Sequence, residues 1–430
     1  MHTNCEPPVF ALHARFVLPV DAPPMSDAAI VIDGGRIVDV GKVDRHIETV
    51  ALGNAVLMPG LVNAHTHLEF SSLNSPLGVR GSRLCDWIAE VIRWRQQMDD
   101  RPPPESGWRS DATRRGLAEA LRAGVTTLGD IATPPVDPVC YENSCDSTVF
   151  VEFIGLTRQR AEQRDRIIRS HFDRPYSGKG CERPANVVWG ISPHAPYTVR
   201  WDSLVGLCRR SSTEQVPVAM HLAESADEAE FLRSGAGPFR ELLNRLGAWE
   251  NDAVPLGLTA LDYLQVLAGA SRTLVIHGNY LATESIDFLA RHADRMSVVY
   301  CPRTHEYFGH SRYPLEHMLA AGVRVALGTD SRASNPDLDL LNDVRAVAKN
   351  YPAIDRETIL KMATLHGAAA LGLAEDRGSL RPGMRADVIA LRLPEYSSSQ
   401  ADPYAFLDDP RCRVERVYRA GELVFTGGSC

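Results

Sequence analysis

Two histidines stand two residues apart at the end of an apolar run, Met58-Pro59-Gly60-Leu61-Val62-Asn63-Ala64-His65-Thr66-His67. On a β-strand, residues i and i+2 face the same side. His65 and His67 would therefore project together from the strand's C-terminal end, where two imidazoles can share one metal ion. Two surface histidines at a strand end are the alternative, and the pair alone does not separate the two. Four further apolar runs end in similar chemistry. Val187 to Ile191 leads into Ser192-Pro193-His194, and Val216 to Met220 into His221-Leu222-Ala223-Glu224. Thr273 to Ile276 leads into His277-Gly278-Asn279, and Val323 to Leu327 into Gly328-Thr329-Asp330. Any one of these histidines is more often structural. Five histidines and two acids, all at strand ends, share a purpose more readily than a coincidence. Three neutral imidazoles and one carboxylate suit a borderline divalent ion such as zinc or ferrous iron. Such an ion lowers the pKa of bound water to roughly 7, which gives a hydroxide nucleophile near neutral pH. Glu224 and His277 are then left for proton transfer.

The apolar runs alternate with helical sequence. Helices are predicted over Asp86 to Met98, over Ser110 to Ala123 with Gly124 as a C-cap, over Arg158 to Phe172, and as a long insert from Asp227 to Leu267. Val125 to Ile131, Thr148 to Ile154 and Ser297 to Tyr300 complete a set of eight short strands. Eight buried parallel strands, each followed by helical sequence, predict a closed (β/α)8 TIM barrel with the polar groups on its C-terminal rim. A doubly wound sheet competes, but the first turn has no GxGxxG or phosphate-binding loop. Both chain ends read differently. Ala28 to Ile32, a turn at Asp33-Gly34-Gly35 and the alternating Arg36 to Val40 resemble short strands, as do Val388 to Leu391, Val414 to Tyr418 and Leu423 to Phe425. A small β-sandwich domain built from both termini (1–58 and 377–430) around a barrel (59–376) is expected.

The totals narrow the function classes. At 430 residues, a large domain and a smaller one are expected. A formal charge of −8, with no basic run, argues against a nucleic-acid partner. No apolar stretch approaches the length of a membrane span, and the N-terminus lacks a secretory signal. Nine cysteines without a CxxC pair read as reduced thiols, mostly buried, in a cytoplasmic protein. The expected partner is a small-molecule substrate, with no nucleic acid and no membrane. Lysine occurs only at Lys42, Lys179, Lys349 and Lys361.

PGLVNAHTH, HLAES, HGN and LGTDS, in that order, resemble the amidohydrolase superfamily. They are most similar to its branch of mononuclear deaminases and related chlorohydrolases, which includes cytosine, guanine, and S-adenosylhomocysteine or methylthioadenosine deaminases. The resemblance spans the barrel and both β ends, GSLRPGMRADVIAL included. It implies one divalent ion, Zn2+ before Fe2+, on His65, His67, His221 and Asp330. It implies that Glu224 shuttles a proton from the water to a ring nitrogen, that His277 holds or deprotonates the water, that Asp330 passes a proton to the leaving group, and that His194 bonds the substrate. Relatives are often dimers, so a homodimer is the expected assembly. Binuclear members use a carboxylated lysine at the end of strand four. Asn186 to Ile191 contains none, and Lys179 lies too far back, which favours one metal.

The implied activity is hydrolytic deamination of an amino-substituted N-heterocycle, a purine nucleoside derivative such as S-adenosylhomocysteine or aminodeoxyfutalosine. A chlorohydrolase, a guanine- or cytosine-type base deaminase, and a catalytically silent binding protein are the alternatives. Glu152, inside a predicted strand, needs a partner: an arginine, the substrate, or a second ion. Arg303, Thr304 and His305, in the segment after strand seven, are candidate substrate contacts, with Arg80 and Trp87 behind them. In adenosine-type deaminases of this branch, a glutamate after strand one grips the ribose. The matching stretch here, Trp94-Arg95-Gln96-Gln97, offers no equivalent.

Overall fold

A computed structural model describes residues 9–42, 46–100, 107–173, 184–394 and 402–427. Lys179 and the proline-rich break at Arg101-Pro102-Pro103-Pro104 lie outside the described residues. The chain divides into two compact units, one comprising 1–63, 118–127 and 339–430, the other 64–117 and 128–338.

The strands are β1 (Phe10–Val17), β2 (Met25–Asp33), β3 (Arg36–Gly41), β4 (Glu48–Ala51), β5 (Ala55–Pro59), β6 (Leu61–Thr66), β7 (Val125–Ala132), β8 (Asp146–Phe153), β9 (Val187–Pro193), β10 (Val218–Leu222), β11 (Thr273–His277), β12 (Met296–Tyr300), β13 (Val325–Leu327), β14 (Val388–Arg392), β15 (Arg413–Arg419) and β16 (Glu422–Thr426). The helices needed below are α1 (Leu84–Asp99), α2 (Trp108–Arg122), α3 (Arg158–Phe172), α4 (Trp201–Glu214), α5 (Ala226–Ser234), α6 (Pro238–Arg245), α7 (Ala260–Leu267), α8 (Thr283–Arg291) and α9 (Pro302–Phe308).

The two termini meet in one eight-stranded mixed sheet, ordered β16-β15-β14-β5-β1-β2-β3, with β4 also on β1. The β2–β3 turn uses Gly34 and Gly35 at φ 53° and 77°, the left-handed backbone that glycine reaches without a Cβ penalty. β14 enters antiparallel to β5, Val388 opposite Pro59, so the C-terminal segment completes the N-terminal sheet. Leu12, Ile30, Leu57, Val388 and Ala390 are buried together on its inner face.

The second sheet runs β13-β12-β11-β10-β9-β8-β7-β6, each strand beside its sequence neighbour, and forms the nearly closed eight-stranded barrel that the helical spacing predicts. β6, β7, β8, β10, β11, β12 and β13 are buried along their whole length, as parallel strands covered on both faces must be. The ring is drawn together beyond β13, where the Asp330 N–H donates to the His65 carbonyl at 3.1 Å. Gly328 makes this approach possible: a Cβ there would meet His65 Cβ and O at 2.9 Å.

The predicted helical insert Asp227 to Leu267 is three helices, α5, α6 and α7, not one. Gly235 and Gly237, at φ 65° and 87°, stop α5, and Pro238 starts α6 where a missing N–H does no harm. Among the described residues, no helix is long and apolar enough to cross a membrane.

Two glycine substitutions separate packing from propensity. Gly328→Ala is expected to lower stability by about 1–3 kcal/mol through backbone displacement. Gly206→Ala, in α4 with open space around it, should raise stability by about 0.5–1 kcal/mol. Thermal unfolding of both variants checks the contrast.

Candidate metal centre and active-site cavity

Each chemically active side chain sits where a barrel strand ends. β6 delivers His65 and, just past its end, His67; their rings lie 4.9 Å apart and nearly perpendicular. His221 comes from β10, His277 closes β11, and Asp330 follows β13. His277 and Asp330 adopt left-handed backbone, at φ 67° and 55°, as does Ala223 at φ 54°. Such residues cost on the order of 1–3 kcal/mol each and persist where the surroundings enforce them. Here the Tyr313 hydroxyl donates to the His277 carbonyl at 2.8 Å, and the Thr66 hydroxyl to the Asp330 carbonyl at 3.1 Å.

The donor atoms converge. His67 Nε2 and His221 Nε2 are 3.2 Å apart. Asp330 Oδ1 stands 3.5 Å from His65 Nε2 and 3.7 Å from His67 Nε2. One ligand atom each from His65, His67 and Asp330, and likewise from His65, His221 and His277, fall within 4.8 Å of one another. Two ligands about 2.1 Å from a tetrahedral ion would be separated by about 3.4 Å, close to the spacing between these nitrogens. Burial lowers His67 and His221 well below the usual imidazole range, with the charge of neighbouring histidines adding to it, so both rings are neutral with lone pairs to offer. Burial pushes the Asp330 carboxyl up, but the bond to His65 and the electrostatic pull of the imidazoles of His65, His67 and His277 outweigh it and hold the group well below its ordinary value. The residues fit a divalent cation: buried, neutral nitrogens and one ionised oxygen, all pointing inward.

Supporting contacts orient these groups. The His194 carbonyl lies 2.9 Å from His221 Nδ1, which fixes that proton and leaves Nε2 for the centre. Ser334 donates to Asp330 Oδ2 at 2.8 Å, turning Oδ1 toward the histidines, and Thr304 lies 3.0 Å behind Ser334. Glu228, buried and pushed up to about 7 by that burial, accepts the backbone N–H groups of Ala223 and Glu224. Glu224 itself is raised well above the carboxylate range, by burial first and then by Asp330 and Glu228. Its Oε1 stands 3.4 Å from His277 Nε2, and burial holds that imidazole neutral.

A second polar layer supplies the partner that Glu152 was expected to need, through residues that sequence reading did not single out. Arg95 of α1 bonds Glu69, which Arg109 of α2 also reaches at 3.4 Å. The Thr133 hydroxyl lies 3.0 Å from both Glu69 Oε1 and Glu152 Oε2. Glu152, 2 % exposed, is thus linked through Thr133 to an arginine-paired glutamate, and its other oxygen is 4.0 Å from His194 Nε2. Asp130 accepts the Leu68 N–H at 2.9 Å and the Tyr141 hydroxyl at 2.6 Å, pinning the chain just after His67. Glu152 was legible as a carboxylate inside a strand, and Glu228 had a local signal in its capping-box spacing from Ser225. The others are brought together from separate elements.

A cavity of about 290 Å³ opens on this cluster. Glu152, His194, Glu224, His277 and Asp330 line it, as do Trp87 and Arg95. Arg303, Thr304 and His305 do not. Their segment is the short helix α9, in which Arg303 pairs with Asp337 at 2.8 Å and His305 is buried beside Tyr300 and Tyr313. Arg80 also lies outside the lining.

Comparison with known proteins follows this geometry. The model of the Amidohydrolase family matches residues 56–424. A 5-methylthioadenosine/S-adenosylhomocysteine deaminase of Pyrococcus furiosus is 30% identical over 419 residues, covering 93% of this chain and 91% of the relative. The crystal structure of Helicobacter pylori aminofutalosine deaminase with methylthio-coformycin superposes with a TM-score of 0.82 at 23% identity, over 97% of this chain and 100% of that one. An adenosine deaminase from Xanthomonas campestris with bound zinc gives 0.74 at 24% identity, over 98% and 94%. At these identities the two structures establish the fold.

The Asp130 environment makes a pH prediction. Burial, with Glu69 and Glu152 adding to it, pushes this carboxyl up to about 7, from about 4 in the unfolded chain. The protonated form is therefore favoured in the fold, and its stabilising contribution is lost as pH rises toward 7. Asp130→Asn does not titrate, so its Tm relative to wild type should shift in the variant's favour between pH 5 and pH 8. A pH-independent difference in thermal melts would refute this.

Proposed function

The chain belongs to the Amidohydrolase family, and from that premise we propose that it is a metal-dependent hydrolytic deaminase of an amino-substituted purine nucleoside. The observation that carries the reading is one cavity lined by His67, His221 and Asp330, with fully buried His65 in donor-atom reach of them, and by a buried carboxyl, Glu224, beside His277. The deaminase relative from Pyrococcus furiosus supports the substrate class, and the zinc in the Xanthomonas campestris neighbour supports Zn2+ on these ligands.

When bound, the ion supplies Lewis-acid activation of water for attack on the carbon bearing the amino group. The rest is the work of the chain's own side chains. Glu224, whose environment favours the protonated form, can hold a proton and deliver it to the ring nitrogen beside that carbon. Neutral His277, facing Glu224, accepts or donates a hydrogen bond as the proton moves. Asp330, ionised and with Oδ2 held by Ser334, takes a proton from the attacking water and passes it to the departing amine, which leaves as ammonia while the ring carbon keeps the oxygen of water. His194, its Nδ1 2.7 Å from the Thr198 hydroxyl, directs Nε2 toward Glu152, and the two are positioned to bond the heterocycle or its sugar. The apolar walls exclude water that would compete for these groups. Thr304 acts on Asp330 only through Ser334.

Metal analysis, with ammonia and chloride release measured across adenine nucleosides, guanine, cytosine and chloro-triazines, tests the reading. One ion per chain and ammonia from adenine nucleosides are expected; chloride from a triazine would mark a chlorohydrolase instead. Absence of metal, with no turnover after adding Zn2+ or Fe2+, would overturn both. Glu224→Gln should lower kcat by about 10²–10⁴-fold with the metal retained, whereas His67→Ala or His221→Ala should lose the metal.

A further inference from the structure

Glu224 leaves β10 through a turn that is held at both its donors and its acceptors. Ala223, at φ 54°, sits in the left-handed region that a residue with a Cβ disfavours. The N–H groups of Ala223 and Glu224 both go to one side chain: Glu228 Oε1 accepts the first at 2.7 Å and Oε2 the second at 3.1 Å. Their carbonyls go to the segment after β11. The Tyr280 N–H donates to the Ala223 carbonyl at 2.9 Å, and the Asn279 side-chain amide to the Glu224 carbonyl at 2.9 Å. Ala223, Glu224, Glu228 and Asn279 are all buried. Asn279 belongs to the His277-Gly278-Asn279 motif, yet neither it nor Glu228 lines the cavity. Glu228 is no ordinary helix cap either. Ser225 caps α5 by accepting the Glu228 N–H at 3.2 Å, and in a capping box the carboxylate would return to the N–H of the capping residue itself. It reaches past Ser225, to the two residues that make the turn.

Resting on the deaminase reading, in which Glu224 moves the proton, we propose that Glu228 and Asn279 are positioning residues of the reaction: one by the N–H groups and the other by a carbonyl, they lock the Ala223–Glu224 turn so that the Glu224 carboxyl stays on His277. Burial explains why these two side-chain types are needed. Four backbone groups lie out of water here, and each would cost free energy if left unmatched. A carboxylate has two acceptor oxygens and satisfies two N–H groups at once, whereas a carbonyl needs a donor such as the carboxamide N–H. The left-handed backbone at Ala223 persists because its surroundings enforce it. Releasing one of these bonds lets Ala223 relax, and Glu224, one peptide further on, swings with it. The carboxyl that stands 3.4 Å from His277 Nε2 is then misplaced, while the metal ligands stay where their own strands put them.

Steady-state kinetics of ammonia release from adenine nucleosides, with metal content measured alongside, tests the assignment. Glu228→Gln sets an amide donor against one of the two N–H groups, and Asn279→Asp sets a carboxylate against the Glu224 carbonyl. Each should lower kcat by about 10–10²-fold, with KM within about twofold and the ion still bound. Adding Ala223→Gly to Glu228→Gln should recover about fivefold of that loss, because glycine enters the left-handed region freely. In a Glu224→Gln background neither substitution should slow turnover further, since the group they aim is gone. A loss that appears in KM, a glycine that recovers nothing, or losses that multiply with Glu224→Gln overturn the proposal. Should Glu228→Gln fail to fold, Asn279→Ala, which removes one bond and leaves the cap of α5 intact, carries the same comparisons. If Glu224→Gln keeps wild-type kcat, or no adenosine derivative releases ammonia, the deaminase reading fails on its own. The crystal structure of the metal-loaded Glu228→Gln or Asn279→Ala protein then decides: Ala223 out of the left-handed region, with the Glu224 carboxyl away from His277, supports the lock, and an unchanged turn overturns it.

Discussion

Everything at the barrel mouth answers to one electrostatic constraint: four imidazoles and two carboxyls, from His65, His67, His221, His277, Glu224 and Asp330, are buried within a few ångströms of one another. Without a cation, such a cluster would pay for desolvation with little in return. With one, neutral nitrogens and an ionised oxygen become ligands. The strained backbone at Ala223, His277 and Asp330 follows from that demand, since side chains aimed at a single point cannot all leave their strands in relaxed geometry. Gly328 follows too, because only a residue without a Cβ lets the last strand's end approach His65.

Around that centre, a second set of groups holds the first in place. Glu228 grips the backbone of Ala223 and Glu224, Ser334 turns Asp330, and Asp130 with Tyr141 fixes the segment after His67. These residues touch no ligand atom directly, yet each removes a rotation that would misplace one. The Arg95–Glu69–Thr133–Glu152 chain does the same for the cavity wall. It allows a carboxylate in β8 to stay buried beside His194 without an arginine bonded directly to it.

The cavity itself is asymmetric. Its histidines and acids come from the strands and the segments just after them, and apolar side chains of α1 and α6 make up much of the rest of its lining. In a (β/α)8 barrel the strands set the reaction, and the segments that follow them set what is admitted.

How much was legible in the chain alone depends on how local the signal is. Eight apolar runs, the His65-Thr66-His67 pair, His221 with Glu224, His277 and Asp330 were readable because each is a short motif at the end of a strand. The strand period places these side chains without knowledge of the rest of the fold. Arg303, Thr304 and His305 looked equally suitable in sequence, but α9 turns them toward Asp337, Ser334 and Tyr300, outside the cavity. The break between α5 and α6 in the insert was hidden because two glycines and a proline, not hydrophobic periodicity, decide where one stops and the next starts. Glu152 stood out as a carboxylate inside a strand, but Glu69, Arg95 and Thr133, which hold it, come from three other segments, so no spacing announces them. Sequence alone therefore determined the family and the barrel, and singled out the histidines and acids that gather at its mouth, because each of these rests on a short local motif. Only the tertiary structure decided which polar residues face the cavity and which are already paired, because that depends on how helices far apart in the chain are turned toward one another.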